Sequence, residues 1–138
     1  MIAVDAGFLY AIVDRHDNWH ARSLAMTSTL SEGWITTWPV VAEVAHLMSK
    51  RLGASFAAAL IDDVSDGNIA VWDLSRTSIR RLAPLMRKYA SLPMDLADAS
   101  LVLLAEYLGH GRILSTDERD FKAYRWKQRK PFANLLAP

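Results

Sequence analysis

Four acidic side chains that stand far apart in the chain are the residues best suited to chemistry. Asp5 follows the apolar run IAV, Glu43 lies in PVVAEVAHL, Asp98 lies in LPMDLADAS, and Asp117 lies in ILSTDERDF. Carboxylate oxygens are hard ligands that suit Mg²⁺ or Mn²⁺. If the fold gathers these acids without a cation, their repulsion raises their pKa values and destabilises the protein. The set therefore predicts a divalent-cation site, provided that the fold brings the acids together.

The elements that must position these acids alternate between two hydrophobic periodicities. Short β-rich runs predict strands at residues 2–5, 34–38, 69–74 and 112–116. Helical patterns lie between them at residues 7–14, 18–31, 39–52, 55–65, 76–89 and 95–108. Strands that alternate with helices favour an α/β sandwich with a parallel sheet.

Several residues at the predicted helix ends have the chemistry that helix ends require. Asp17 is a candidate N-cap, and Gly53, Gly67 and Gly109 suit the C-terminal ends of helices. Pro84 is expected to kink or split the helix at residues 76–89. These signals divide the chain into elements without indicating a linker between domains.

The predicted topology places the four acids at one edge of the sheet. A helix that leads into a parallel strand runs antiparallel to it, so helix N-termini lie at the edge where strands end. Asp5 and Asp117 follow strands, whereas Glu43 and Asp98 lie in the early turns of helices. We therefore expect the four side chains to converge at this edge.

Each acid also has a simpler explanation. Asp98 and Asp95 could serve only to cap a helix, where the helix dipole favours anions. Asp117 and Asp120 could be turn and cap residues. Glu43 lies opposite the apolar face of its helix, so periodicity alone predicts a solvated surface acid. The convergence of the set, rather than any single residue, supports a functional site.

Composition excludes several classes of protein. The chain has 138 residues, half of them apolar and 22% charged, as expected for one globular domain. No apolar run reaches the ~18 residues of a membrane span, and the N-terminal residues are not expected to form a secretory signal. The absence of cysteine excludes disulfides and thiolate metal sites, and fits a cytoplasmic location.

Charge is distributed unevenly along the chain. Residues 1–75 carry nine acids and four bases, whereas residues 76–138 carry six acids and twelve bases. The segment FKAYRWKQRKPF at residues 121–132 mixes five bases with aromatic side chains, which suits single-stranded or loop RNA. A second basic surface is expected from Arg76, Arg80, Arg81, Arg87 and Lys88. Both segments could equally be solvated surfaces.

Four segments of this sequence resemble the PIN domain (PilT N-terminus) family, and among its members the bacterial VapC-type toxins. They are IAVDAGFLYAIVDRHDNWH, ITTWPVVAEVAHLM, LPMDLADASLVLLAEYLG and ILSTDERDF. The family's four acids correspond to Asp5, Glu43, Asp98 and Asp117, with Asp5 and Asp98 as the direct metal ligands. Asp95 and Asp120 are secondary candidates, and an N-cap is the favoured role for Asp95. Ser115 and Thr116 could orient a ligand or water, or could equally be ordinary residues at the end of a strand.

The resemblance implies a fold and an activity. The fold is a three-layer α/β/α sandwich with a mainly parallel central sheet, formed by one PIN domain over residues 1–138. The activity is Mg²⁺- or Mn²⁺-dependent hydrolysis of phosphodiester bonds in RNA, such as transfer or ribosomal RNA. The implied partners are a cognate antitoxin, as in type II toxin–antitoxin pairs, and a second copy of the chain in a homodimer; no membrane is implied.

Two rival interpretations remain open. A receiver-like phosphoacceptor also gathers acids at an α/β edge, but it needs an acidic pair after the first strand, and Asp73 lacks a supporting set. A PIN-fold module that binds RNA or assembles with a partner without cleavage is the second. The complete acid set argues against this alternative without excluding it.

Overall fold

A parallel five-stranded sheet forms the centre of the computed structural model, which describes all residues 1–138. The seven strands are β1 Ile2–Val4, β2 Trp34–Thr37, β3 Ile69–Trp72, β4 Arg112–Leu114, β5 Arg125–Trp126, β6 Lys130–Pro131 and β7 Ala133–Asn134. The sheet has the order β3-β2-β1-β4-β7 with every pair parallel, and β5 and β6 form a separate antiparallel hairpin. The predicted parallel sheet is confirmed.

Eight helices cover the two faces of the sheet. They are α1 Ala6–Ala11, α2 His20–Thr29, α3 Trp38–Arg51, α4 Ala54–Ser65, α5 Arg76–Ile79, α6 Leu82–Lys88, α7 Leu96–Leu108 and α8 Glu118–Ala123. The chain first moves from β1 outward to β3, and then returns across β1 to β4. Because parallel crossovers are right-handed, this reversal places α1–α4 on one face and α5–α8 on the other. The three-layer α/β/α architecture is confirmed.

The core lies where α7 packs on the sheet. Nine consecutive residues of this helix, from 97 to 105, are buried, including Asp98 and Ser100. The central strands β1 and β4 are apolar throughout their buried positions because helices cover both sides of the sheet. The carboxylate that α7 carries at its N-terminus is therefore desolvated.

Most of the predicted helix ends are confirmed. Gly53, Gly67 and Gly109 follow helices with φ of 118°, 82° and 77°, a region that glycine enters without strain. The predicted helix at residues 76–89 is split into α5 and α6, and Pro84 lies in the first turn of α6. The N-cap assignment of Asp17 is wrong: α2 begins at His20, and the Asp17 carboxylate instead accepts a hydrogen bond from the Trp19 amide in the preceding turn.

The C-terminal segment departs most from the prediction. Sequence periodicity indicated four strands, whereas a fifth, β7, joins the sheet beside β4, and residues 121–132 form the end of α8 and the β5–β6 hairpin. The expectation that aromatic side chains of this segment are free to stack on bases is wrong for Phe121, Tyr124 and Trp126, which are buried. No helix is both long and apolar enough to cross a lipid bilayer.

Candidate active site

The acidic pocket is a cavity of about 310 Å³ at the carboxyl ends of β1 and β4, and six carboxylates line it. This edge is the topological switch point of the sheet, where ligands of open α/β folds bind. The six acids are Asp5, Glu43, Asp95, Asp98, Asp117 and Asp120. No lysine, arginine or histidine lines the pocket. The four acids predicted to converge therefore share one cavity, together with the two secondary candidates.

Asp5 follows β1 and forms the N-cap of α1. Its Oδ1 accepts a hydrogen bond from the Ala6 amide at 2.7 Å, and its Oδ2 accepts one from the Ser115 hydroxyl at 2.9 Å. The side chain is only 7% exposed, and burial raises its pKa, although these two hydrogen bonds act in the opposite direction. Two fixed donors thus stabilise the charged form of Asp5, but no basic side chain in the pocket balances its charge.

The Ser115 hydroxyl links the ends of the two central strands. It donates to Asp5 and accepts a hydrogen bond from the Asp117 amide at 3.0 Å. Ser115 is itself fixed by Asn134 of β7, whose Oδ1 accepts from the Ser115 amide and whose Nδ2 donates to the Ser115 carbonyl. The role of Asn134 could not be predicted from the sequence, because the two-residue strand that carries it gives no periodic signal.

Asp98 lies in the first turn of α7 and is 9% exposed. Its Oδ2 accepts a hydrogen bond at 2.8 Å from the hydroxyl of Tyr124, a buried residue at the end of α8. Burial raises the pKa of Asp98 to about 7, the charges of Asp95 and Asp5 add to this effect, and the Tyr124 hydrogen bond opposes it. The contact of Tyr124 with Asp98 joins residues 26 positions apart, and no local pattern in the sequence predicts it.

Asp95 and Asp117 also cap helices, as the simpler explanations predicted. The Asp95 carboxylate accepts a hydrogen bond from the Asp98 amide at 2.8 Å, and the Asp117 carboxylate accepts one from the Asp120 amide at 3.1 Å. Burial, followed by the neighbouring Asp120, raises the pKa of Asp117 to about 6. Asp120 has an ion pair with the exposed Arg119 at 3.2 Å. Asp95 and Asp117 thus cap helices and also line the acidic pocket.

Glu43 shows why periodicity alone was insufficient. It lies on the exposed side of α3, as its spacing predicted, yet that side of the helix borders the acidic pocket. Partial burial, together with the charges of Asp5 and Asp95, raises the pKa of Glu43 to about 7. No side chain donates a hydrogen bond to it in this structure, so its carboxylate is free to meet a ligand.

The floor of the pocket depends on a close approach between α1 and the end of β4. A Cβ atom built on Gly7 would lie 2.0 Å from Oγ1 and 3.2 Å from Cβ of Thr116, so any larger residue at this position would force Thr116 to move. Thr116 lines the pocket, which is consistent with its predicted secondary role. The requirement for glycine at position 7 follows from a contact between residues more than a hundred positions apart.

The donor set fits a divalent cation in its chemistry. All six charged groups are hard oxygen donors. The raised pKa values of Asp5, Glu43, Asp98 and Asp117 indicate a deficit of positive charge in the pocket. No three His, Asp or Glu side chains lie close enough together to chelate a single ion directly. Mg²⁺ keeps several waters and binds proteins through only one or two carboxylates. The pocket is therefore compatible with an ion held partly through water.

The receiver-like alternative finds no support in this geometry. Asp73 follows β3 at the edge of the sheet and accepts a hydrogen bond from the Trp38 indole at 2.9 Å. It does not line the acidic pocket, and no lysine lies beside the acids there.

Comparisons with known proteins agree with this architecture. A family model described as "PIN domain" matches residues 2–127, a range that contains all six carboxylates of the acidic pocket. "Ribonuclease VapC26" of Mycobacterium tuberculosis (strain ATCC 25618 / H37Rv) is 26% identical over 122 residues, which cover 88% of this chain and 90% of that protein. The crystal structure of Mycobacterium tuberculosis VapC20, described as a sarcin–ricin loop cleaving toxin, has a TM-score of 0.83 at 18% identity and covers 95% of this chain and 100% of its own.

Proposed function

Since this chain belongs to the PIN domain family, we propose that it is a metal-dependent ribonuclease that hydrolyses phosphodiester bonds in RNA. The observation that carries the proposal is the acidic pocket, in which six carboxylates face one cavity without a basic side chain. Such a pocket is costly to fold unless a cation binds there. A catalytic requirement for a bound cation explains why so many acids lie together in a partly desolvated place.

The proposed cofactor is Mg²⁺ or Mn²⁺. Asp5 and Asp98 would hold it directly, and Glu43 and Asp117 would complete the negative pocket. When bound, the ion lowers the pKa of a coordinated water and neutralises charge on the scissile phosphate. The donor chemistry supports this assignment, and the affinity for each ion is open to direct measurement.

The chain's own residues fix the orientation of the carboxylates. The Ala6 amide and the Ser115 hydroxyl occupy one lone pair on each oxygen of Asp5, and Tyr124 occupies one on Asp98, so both side chains retain free lone pairs. Fixed donors reduce the reorganisation that the site must undergo as charge develops on the phosphate. No side-chain nucleophile is required.

The biological role that we propose is the toxin of a type II toxin–antitoxin pair, acting in the cytoplasm. The substrate would be a structured RNA, such as transfer or ribosomal RNA. A cognate antitoxin would hold the enzyme inactive, and the toxin would form a homodimer. The names of the similar proteins support this role, and residues 1–138 would act as one PIN domain because β7, beyond the matched residues, pairs with β4.

An assay of purified protein tests the ribonuclease activity. We expect cleavage of RNA in Mg²⁺ or Mn²⁺, no cleavage in EDTA, and loss of cleavage in Asp5→Asn and Asp98→Asn. Asp62→Asn, which changes an exposed acid on α4, is the matched control and should cleave as the unmodified protein does. Cleavage that survives both pocket substitutions would refute the proposed site, and RNA binding without any cleavage would favour the non-cleaving module.

Expression in a bacterial host tests the toxin role. We expect growth arrest that requires Asp98 and that is relieved when the neighbouring open reading frame is co-expressed. Normal growth at an expression level that gives measurable ribonuclease activity in the lysate would contradict the toxin role while leaving the enzymatic activity in place.

A further inference from the structure

A second cavity, the basic pocket, lies between α6, α7 and the β5–β6 hairpin. It has a volume of about 480 Å³, and its polar lining consists of Arg80, Arg81, Lys88, Glu106, Arg125 and Gln128. The two basic segments that are separate in the sequence, residues 76–88 and 121–132, therefore meet at one place. With four bases and a single acid, the pocket carries an excess of three positive charges.

Glu106 neutralises only one of the four bases, Arg81, and it also holds the hairpin in place. Its carboxylate accepts two hydrogen bonds from the Arg81 guanidinium, at 2.5 and 3.1 Å, and one from the Lys127 amide at 3.2 Å. Lys127 and Gln128 have φ of 47° and 68°, a region that non-glycine residues rarely adopt. Glu106 thus fixes a strained hairpin tip against α7, and such strain is found preferentially at ligand-binding sites.

Three of the bases remain available to a ligand. Arg125 is anchored because its Nη1 donates to the backbone carbonyls of Lys122, Ala123 and Tyr124, which leaves Nη2 and Nε free. The Arg80 side chain has no hydrogen bond or ion pair within the protein, and the Lys88 amine only lies over the Tyr89 ring at 5.3 Å. Guanidinium groups with free N–H donors match the geometry of phosphate oxygens.

The basic pocket lies within reach of the acidic pocket. Asp98 and Glu106 stand on the same helix, eight residues apart, which corresponds to about 12 Å along its axis. The segment after α6 also joins the two cavities, since Lys88 lines the basic pocket whereas Leu92 and Pro93 line the acidic one. At about 3.4 Å per nucleotide, a distance of 12 Å corresponds to three or four nucleotides of one strand.

We propose that the basic pocket binds backbone phosphates of the RNA, a few nucleotides away from the bond held at the acidic pocket. This inference rests on the proposed ribonuclease function. A pocket lined by six carboxylates repels a polyanion, so the attraction that holds the substrate must come from another surface. The contacts are to phosphates rather than to bases, because the aromatic side chains Tyr124 and Trp126 are buried.

The test compares two double substitutions that remove the same charge. Arg80→Gln with Lys88→Gln removes two exposed bases of the basic pocket, and Arg15→Gln with Lys50→Gln removes two exposed bases elsewhere. Binding of a fluorescein-labelled, mixed-sequence single-stranded RNA of about twelve nucleotides is measured by anisotropy in EDTA, from about 50 to 200 mM salt. Thermal unfolding followed by circular dichroism establishes that both variants fold.

We expect the pocket variant to bind about tenfold more weakly at the lowest salt, and the control to change by less than about threefold. The slope of log affinity against log salt should fall by about 1.4 in the pocket variant, or about 0.7 for each lost phosphate contact. Equal affinities and slopes in the two variants would overturn the inference. It would also be overturned if the pocket variant lost binding to a polyglutamate peptide but kept its binding to RNA, because the pocket would then serve an acidic peptide.

The outcome is separable from that of the ribonuclease assay because no metal is present. RNA binding that depends on the basic pocket, in a protein that never cleaves, would support the pocket and refute the proposed activity. If the unmodified protein cleaves RNA but the pocket variant binds RNA as tightly as the control variant does, the ribonuclease activity is supported and the role of the basic pocket is refuted.

Discussion

Replacing the buried Asp98 by asparagine should stabilise the metal-free protein at alkaline pH. The folded protein raises the pKa of this carboxyl from 3.8 to about 7, chiefly by burial. The folded state therefore binds the proton more tightly than the unfolded state does, and the charged group becomes a penalty on folding as pH rises from about 4 through 7. Asparagine has nearly the same shape and can keep the Tyr124 hydrogen bond, but it carries no charge.

The magnitude follows from the difference between the two pKa values. About three pKa units correspond to about 4 kcal/mol, which is an upper bound because neighbouring acids share protons and water reaches the pocket. We expect Asp98→Asn to raise the free energy of unfolding by about 1–3 kcal/mol at pH 8 and by much less at pH 4. The thermal midpoint at pH 8 should rise by roughly 3 °C per kcal/mol.

Urea denaturation in EDTA at a series of pH values measures this difference, with Asp62→Asn as the control on an exposed surface. The control should show a small difference that does not change with pH. A stability gain that is the same at pH 4 and pH 8, or a loss of stability at pH 8, would refute the reasoning. The same substitution should abolish cleavage, so stability and activity are expected to change in opposite directions.

Three further predictions concern the same pocket. Gly7→Ala should destabilise the protein by about 1–3 kcal/mol, because its Cβ would overlap Thr116, whereas Gly33→Ala, whose nearest neighbours lie at 3.7 Å, should change the urea midpoint little. Tyr124→Phe keeps the ring packing but removes the hydroxyl donor to Asp98, so the acid limb of the pH–rate profile should move to higher pH; an unmoved limb would contradict that role. Saturating Mg²⁺ should raise the thermal midpoint more at pH 8 than at pH 5, since the ion must displace protons from the raised carboxyls, and equal increments at both pH values would argue against carboxylate ligation.

The convergence of the acids could be predicted from sequence because it follows from topology. Strand ends and helix starts share an edge in a parallel α/β fold. The positions of Asp5, Asp98 and Asp117 within their strands and helices were therefore enough to predict that they converge. The N-cap of α7 at Asp95 was likewise readable from local chemistry. Topology also placed Glu43 at this edge, but its periodicity, which correctly predicted the exposed side of α3, did not reveal that this side borders the pocket.

The supporting contacts could not be predicted, because each depends on pairing between distant segments. Asn134 acts on Ser115 only because a two-residue strand joins the edge of the sheet, and Tyr124 reaches Asp98 across two helices. Local patterns carry no information on either contact. For the same reason, the sequence did not predict that the two basic segments line one pocket. Their contact depends on how α6 packs on α7 and on where the β5–β6 hairpin turns.

The stretch from Ser115 to Asn134 is held to the rest of the protein at several points, which restricts where its length can change. Its two ends are hydrogen-bonded to each other, Tyr124 in its middle is tied to Asp98, and Lys127 is tied to Glu106. Surface segments ordinarily accommodate insertions and deletions at small cost. Here an added or deleted residue would move one of these three attachments out of register, so only the exposed tip around Gln128 and Arg129 can accept a change in length.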